Sequence, residues 1–109
     1  MTYRQFLREL RKLRNKGTWY LTSTDGIRMS HSDSDMIYDP ITVVCKFFIG
    51  KEYFSDEWAN AAKRLNLDRK VMGLIMVATC FSLDHCKTKN NPRFAKVRQD
   101  LLEAIGLSE

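Results

Sequence analysis

No stretch of this sequence approaches the roughly 18 uninterrupted apolar residues of a membrane-spanning helix. Met1–Leu10 carries charges where a secretory leader needs an apolar run, so a soluble protein of the cytoplasm is expected. Cysteine is scarce. Cys45, Cys80 and Cys86 cannot all pair, and Cys45 and Cys80 sit in apolar segments where a thiol behaves as a small hydrophobe. Reduced, buried thiols are the expectation. Also missing are a glycine-rich phosphate loop, a Gly-x-Ser-x-Gly elbow and a Walker-type lysine. There is no internal repeat and no low-complexity segment, which removes solenoid and disordered-tail architectures. These absences point away from catalysis, and no cofactor or metal is expected.

What is present suits one domain. A chain of 109 residues that is 44% hydrophobic can bury a single core, so residues 1–109 are expected to form one unit. Its net charge of +5 lies wholly in the first sixteen residues, where Arg4, Arg8, Arg11, Lys12, Arg14 and Lys16 face only Glu9. The remainder balances to zero. This asymmetry marks a contact surface for something acidic.

Tyr3, Phe6, Leu7, Leu10 and Leu13 recur at three- and four-residue spacing, which predicts an amphipathic helix over residues 2–16, opened by a Thr2/Gln5 capping box and stopped by Gly17. Thr18–Ser23 and Ile27–Ser30 flank Asp25-Gly26 and predict a hairpin. His31–Asp39 has no period and reads as a surface loop. Asp39-Pro40 opens a helix over the apolar run Ile41–Ile49, with a buried strand as the competing reading, and Gly50 closes it. Ser55 caps a helix over Asp56–Leu65 with Trp58, Ala61, Ala62 and Leu65 inward. Asp68 caps Arg69–Phe81, which has no polar face and should be the central helix. Leu83–Asn91 reads as a polar connection, and Asn91-Pro92 opens a last helix to Ile105 with Gly106 at its end. The expected fold is α+β and mainly helical: an N-terminal helix, a short β-hairpin, then about four helices packed around a central apolar one.

Three constellations bear on chemistry. Ala62, Leu65, Asn66, Leu67, Asp68, Met72 and Ile75 fall near helix-turn-helix positions, but after Arg69 and Lys70 the second helix offers Gly73, Leu74 and Met76 where base edges would need polar groups. A buried αα-hairpin is the better account. His31, Asp33, Asp35 and Asp39 could offer hard-cation ligands, yet they lack the glycine and the closing acid of a calcium loop and read as a solvated turn. Asp33 and Asp35 remain candidates for an acidic contact. Cys80, His85 and Cys86 match no common zinc spacing, and nothing places His31 or His85 beside a thiol.

The basic helix is the strongest candidate site. Its arginines suit two-point pairing with carboxylates or phosphates, so it can grip an acidic protein face or, with Arg69 and Lys70, a DNA or RNA backbone. The apolar surface of helix 69–81 exceeds what one small core needs, which adds a second copy of the chain to the candidate partners.

Trp19-x-Leu21-Thr22, Gly26-Ile27-Arg28, Pro40-Ile41-Thr42, Trp58-x-x-Ala61-Ala62-x-x-Leu65-x-Leu67 and Leu101-Leu102-x-Ala104-Ile105-Gly106-Leu107 together span most of the chain. In this combination the sequence resembles small uncharacterised proteins carried by phages and prophages. Where those proteins often have a cysteine before the Pro-Ile-Thr segment this chain has Asp39, so no thiol role carries over. The resemblance implies a small protein that binds and blocks or redirects a host machine, such as a nucleic-acid-handling defence complex. It assigns no activity to any residue.

Overall fold

The computed structural model describes residues 1–50, 58–88 and 91–109. Helix α1 spans Tyr3–Lys12. The Thr2 hydroxyl accepts from the Gln5 N–H at 3.1 Å and the Gln5 side chain accepts from the Thr2 N–H at 2.7 Å, the reciprocal box the sequence predicts. The helix stops at Lys12 rather than at residue 16: Leu13, still buried on the apolar stripe, already leaves helical backbone at φ −95° and ψ 3°. Gly17 is not its cap. A Cβ at Gly17 would collide with the Ser30 carbonyl, so glycine here permits close approach to the neighbouring strand.

The strands β1 (Thr18–Leu21), β2 (Ile27–Ser30) and β3 (Ile37–Tyr38) form an antiparallel sheet in that order. The register pairs Trp19 with Met29 and Met29 with Tyr38, and all three side chains are buried. The β1–β2 turn takes its positive φ of 62° from Asp25 and none from Gly26. Tyr38 lies in the stretch read as loop. It is drawn into the sheet because its ring is buried while its hydroxyl still bonds Ser34 at 3.0 Å.

Residues 40–49 are helical, not a strand. Helix α2 (Pro40–Val44) is capped by Asp39, which accepts from the Thr42 N–H at 2.8 Å, and it continues into a π-helical turn, Cys45–Ile49. Gly50, at φ 85°, ends that turn. The Ser55 cap and the beginning of the next predicted helix lie outside the described residues, as does the placement of the Trp58 side chain. Helix α3 covers Trp58–Leu65, with Ala61, Ala62 and Leu65 buried as expected. Asn66 then adopts a left-handed φ of 52°.

Asp68 caps α4 (Arg69–Cys80). Only Met72, Ile75, Ala78 and Thr79 of α4 are buried, so this apolar helix has one core face and one half-exposed face. The segment read as a polar connection contains α5, Leu83–Thr88. Ser82 caps it through the His85 N–H at 3.2 Å and Cys86 is sealed in the interior. All five residues of α2 are buried, and the long helix α6 (Pro92–Ile105) packs on α1, α4 and α5. Asn91, Pro92 and Gly106 (φ 77°) delimit it as predicted. The molecule is α+β and mainly helical, with one continuous core drawn from the sheet and the helices.

Candidate functional site

The apolar stripe of α1 buries Phe6 and Leu10 completely, which fixes the rotation of the helix and turns Arg4, Arg8 and Arg11 to solvent. At three- and four-residue spacing these arginines form one row. None of the three has a carboxylate partner among the described residues. Lys12, also exposed, pairs with Glu9 at 3.3 Å, so part of its charge is already compensated.

The other two predicted basic residues leave this row because the helix ends early. The Arg14 guanidinium occupies the space where a Cβ on Gly106 would stand, at the C-terminal end of α6. There it stands near the partial negative charge of the helix end while remaining exposed. The Lys16 ammonium lies 5.7 Å from the centre of the Phe47 ring, which in turn stands 5.3 Å from the His31 ring. Arg69 and Lys70 are exposed in the first turn of α4. The predicted cluster is therefore an arginine row on α1 with two outliers.

Asp33 and Asp35 are exposed between β2 and β3. Their neighbours in the ligand reading are already engaged: His31 Nδ1 accepts from the Asp33 N–H at 3.2 Å, and Asp39 caps α2. Among the described residues no group of three or more His, Cys, Asp or Glu is arranged to hold a metal ion. Burial, reinforced by the charge of Asp39, pushes the Cys45 thiol up to about 12, and burial also raises Cys86 against the opposing pull of Arg98. Both are held in the un-nucleophilic thiol form.

Sequence reasoning missed Phe48. It is 51% exposed on the π-helical turn and borders a pocket of about 260 Å³ that also involves Arg8, Gln5, Glu9 and Leu65. An exposed aromatic beside an exposed arginine is the composition that interface hot spots favour. A signal was available: Phe47 and Phe48 are adjacent, and successive helical residues diverge too far for both to face one core.

A second group also went unforeseen. Arg98 has no exposed surface; its Nε donates to Glu109 at 2.9 Å, its Nη1 to the Ala78 carbonyl at 2.7 Å and its Nη2 to the Asp25 carbonyl. It ties α6 to the end of α4, to the β1–β2 turn and to Glu109. That glutamate further accepts from the Leu83 N–H at 3.2 Å, so this charge network is fully engaged in holding elements together.

Among the described residues no helix is long and apolar enough to cross a membrane. Comparison with protein-family models, with curated proteins and with solved structures finds no match.

Proposed function

We propose that this chain is a non-enzymatic interaction protein that grips an acidic face of a larger protein with Arg4, Arg8 and Arg11, using Phe48 as an adjoining apolar anchor. The observation that carries this reading is the exposed arginine row on α1 without carboxylate partners among the described residues. Like charges at this spacing destabilise a helix by about 0.2–0.5 kcal/mol per pair. The row thus lowers stability, and binding is what offsets that cost. The phage and prophage resemblance supplies the class of partner: a host protein of the cytoplasm, such as a nucleic-acid-handling defence complex, which the chain blocks or redirects. Asp33 and Asp35, beside the exposed Met36 and Ile37, form a second and oppositely charged surface for the same complex.

A small DNA- or RNA-binding regulator would use the same arginines on phosphates. Phosphate binding weakens steeply with salt, whereas a protein complex with an apolar centre survives moderate salt. The test is affinity capture from nuclease-treated host lysate at moderate salt, with Arg8→Glu/Arg11→Glu run in parallel. One host protein retained by the wild type and lost by the variant supports the reading. Recovery of nucleic acid alone, and only without nuclease, contradicts it.

A further inference from the structure

A groove of about 380 Å³ lies between α1, α4 and α6, on different residues from the Phe48 pocket. Tyr3, Val71, Leu74 and Val97 give it an apolar lining, and Arg93, Lys96 and Asp100 supply its charge. Its size is at the low end of ligand-binding cavities. Val71 and Leu74 come from the half-exposed face of α4, where the sequence keeps apolar side chains that the core does not fully use.

The charges around the groove are not balanced. Asp100 accepts a hydrogen bond from the Tyr3 hydroxyl at 2.8 Å and pairs with Lys96 at 3.1 Å, so this carboxylate of the lining is already compensated. Arg93 has no carboxylate partner among the described residues. It stands in the first turn of α6, whose partial positive charge adds to its own, whereas the start of α4 is already met by the Asp68 carboxylate. An apolar trough with a positive end is complementary to an apolar side chain flanked by carboxylates. The Tyr3 wall also belongs to α1, so the groove is continuous with the helix that bears the arginine row.

We infer that this groove seats the apolar anchor of an acidic, amphipathic peptide segment of the partner, with carboxylates of that segment meeting Arg93 and the start of α6. The inference rests on the acidic-partner reading and gives it a second, sequence-selective contact. Charge on α1 alone attracts any acidic surface, whereas the groove distinguishes segments that carry a bulky apolar residue at the right place.

The full chain, isotopically labelled for amide NMR, is titrated with a short Glu-rich peptide carrying one central tryptophan. A matched peptide has serine in place of tryptophan, and a third has lysine in place of glutamate. The expected result is saturable shifts at Val71, Leu74, Lys96 and Val97, with the tryptophan peptide binding about tenfold or more tighter than the serine peptide. The lysine peptide leaves these amides unmoved. Arg93→Glu weakens the tryptophan peptide; a glutamate in the first turn favours the helix, so that loss does not come from unfolding. Equal binding of the tryptophan and serine peptides overturns the groove. Shifts confined to Arg4–Lys12 overturn the groove while leaving the acidic-partner reading standing. Silence of both surfaces overturns both.

Discussion

Arg98 shows how much one side chain can organise. Fully buried, it satisfies its donors with Glu109 and with the carbonyls of Ala78 and Asp25, which belong to three different parts of the chain. Removing one partner of such a pair leaves a charge uncompensated in a low-dielectric interior. Glu109→Ala is expected to cost about 3 kcal/mol, measured by urea unfolding. Cys45 makes the fold sensitive to alkali. Its pKa is raised from 9.0 to about 12 by burial and then by Asp39, so between those values the folded chain keeps a proton that the unfolded chain has lost. Stability is unaffected below about pH 9 and falls above it, by up to about 1.4 kcal/mol per pH unit from this group. Burial and the hydrogen bond to Asp100 raise Tyr3 as well, which adds loss in the same alkaline direction. Comparing urea midpoints at pH about 8 and about 10.5, Cys45→Ala should lose less stability than the wild type. The arginine row yields a third. Arg8→Glu puts a carboxylate within helical reach of Arg4, Arg11 and Lys12, so thermal stability should hold or rise slightly while partner binding is lost.

Among the elements, α4 best separates apolar composition from burial. Ile75 has no exposure and Leu74 is half-exposed at the groove, although they are neighbours in one apolar run. Ile75→Ala should cost about 2–5 kcal/mol and Leu74→Ala clearly less, whereas composition alone puts both in the same range. Gly73 sits on the open side of this helix, where a Cβ would meet nothing within 4 Å. Gly73→Ala should therefore stabilise the chain by up to about 1 kcal/mol in thermal or urea unfolding. Helix beginnings were legible because capping is local: Thr2 with Gln5, Asp39-Pro40, Asp68 and Asn91-Pro92 each satisfy orphaned N–H groups within a few residues. The end of α1, the strand β3 and the helix α5 were not legible. The last two depend on distant partners: Tyr38 on Met29 across the sheet, and Cys86 on the interior it enters.

Over the whole molecule, the charge asymmetry of the sequence becomes a surface only after packing sorts it. Burial of Phe6 and Leu10 selects Arg4, Arg8 and Arg11 for solvent, the helix end diverts Arg14 to α6, and Lys16 goes to Phe47. The Phe48 pocket, which includes Arg8, and the separate groove beside Tyr3 are each built from segments distant in sequence, which is why periodicity alone did not place them. If a partner protein sits on the arginine row of α1, a crosslinker placed beside that row must capture it. The experiment is photo-crosslinking in host cells from a photoreactive residue at position 12, exposed beside the row, with the same residue at Thr24 in the β1–β2 turn as the control. The expected result is one discrete protein adduct from position 12, none from position 24, and loss of the adduct when Arg4→Glu and Arg11→Glu are added. Equal labelling from both positions, or an adduct that survives those charge reversals, would contradict that placement of the partner.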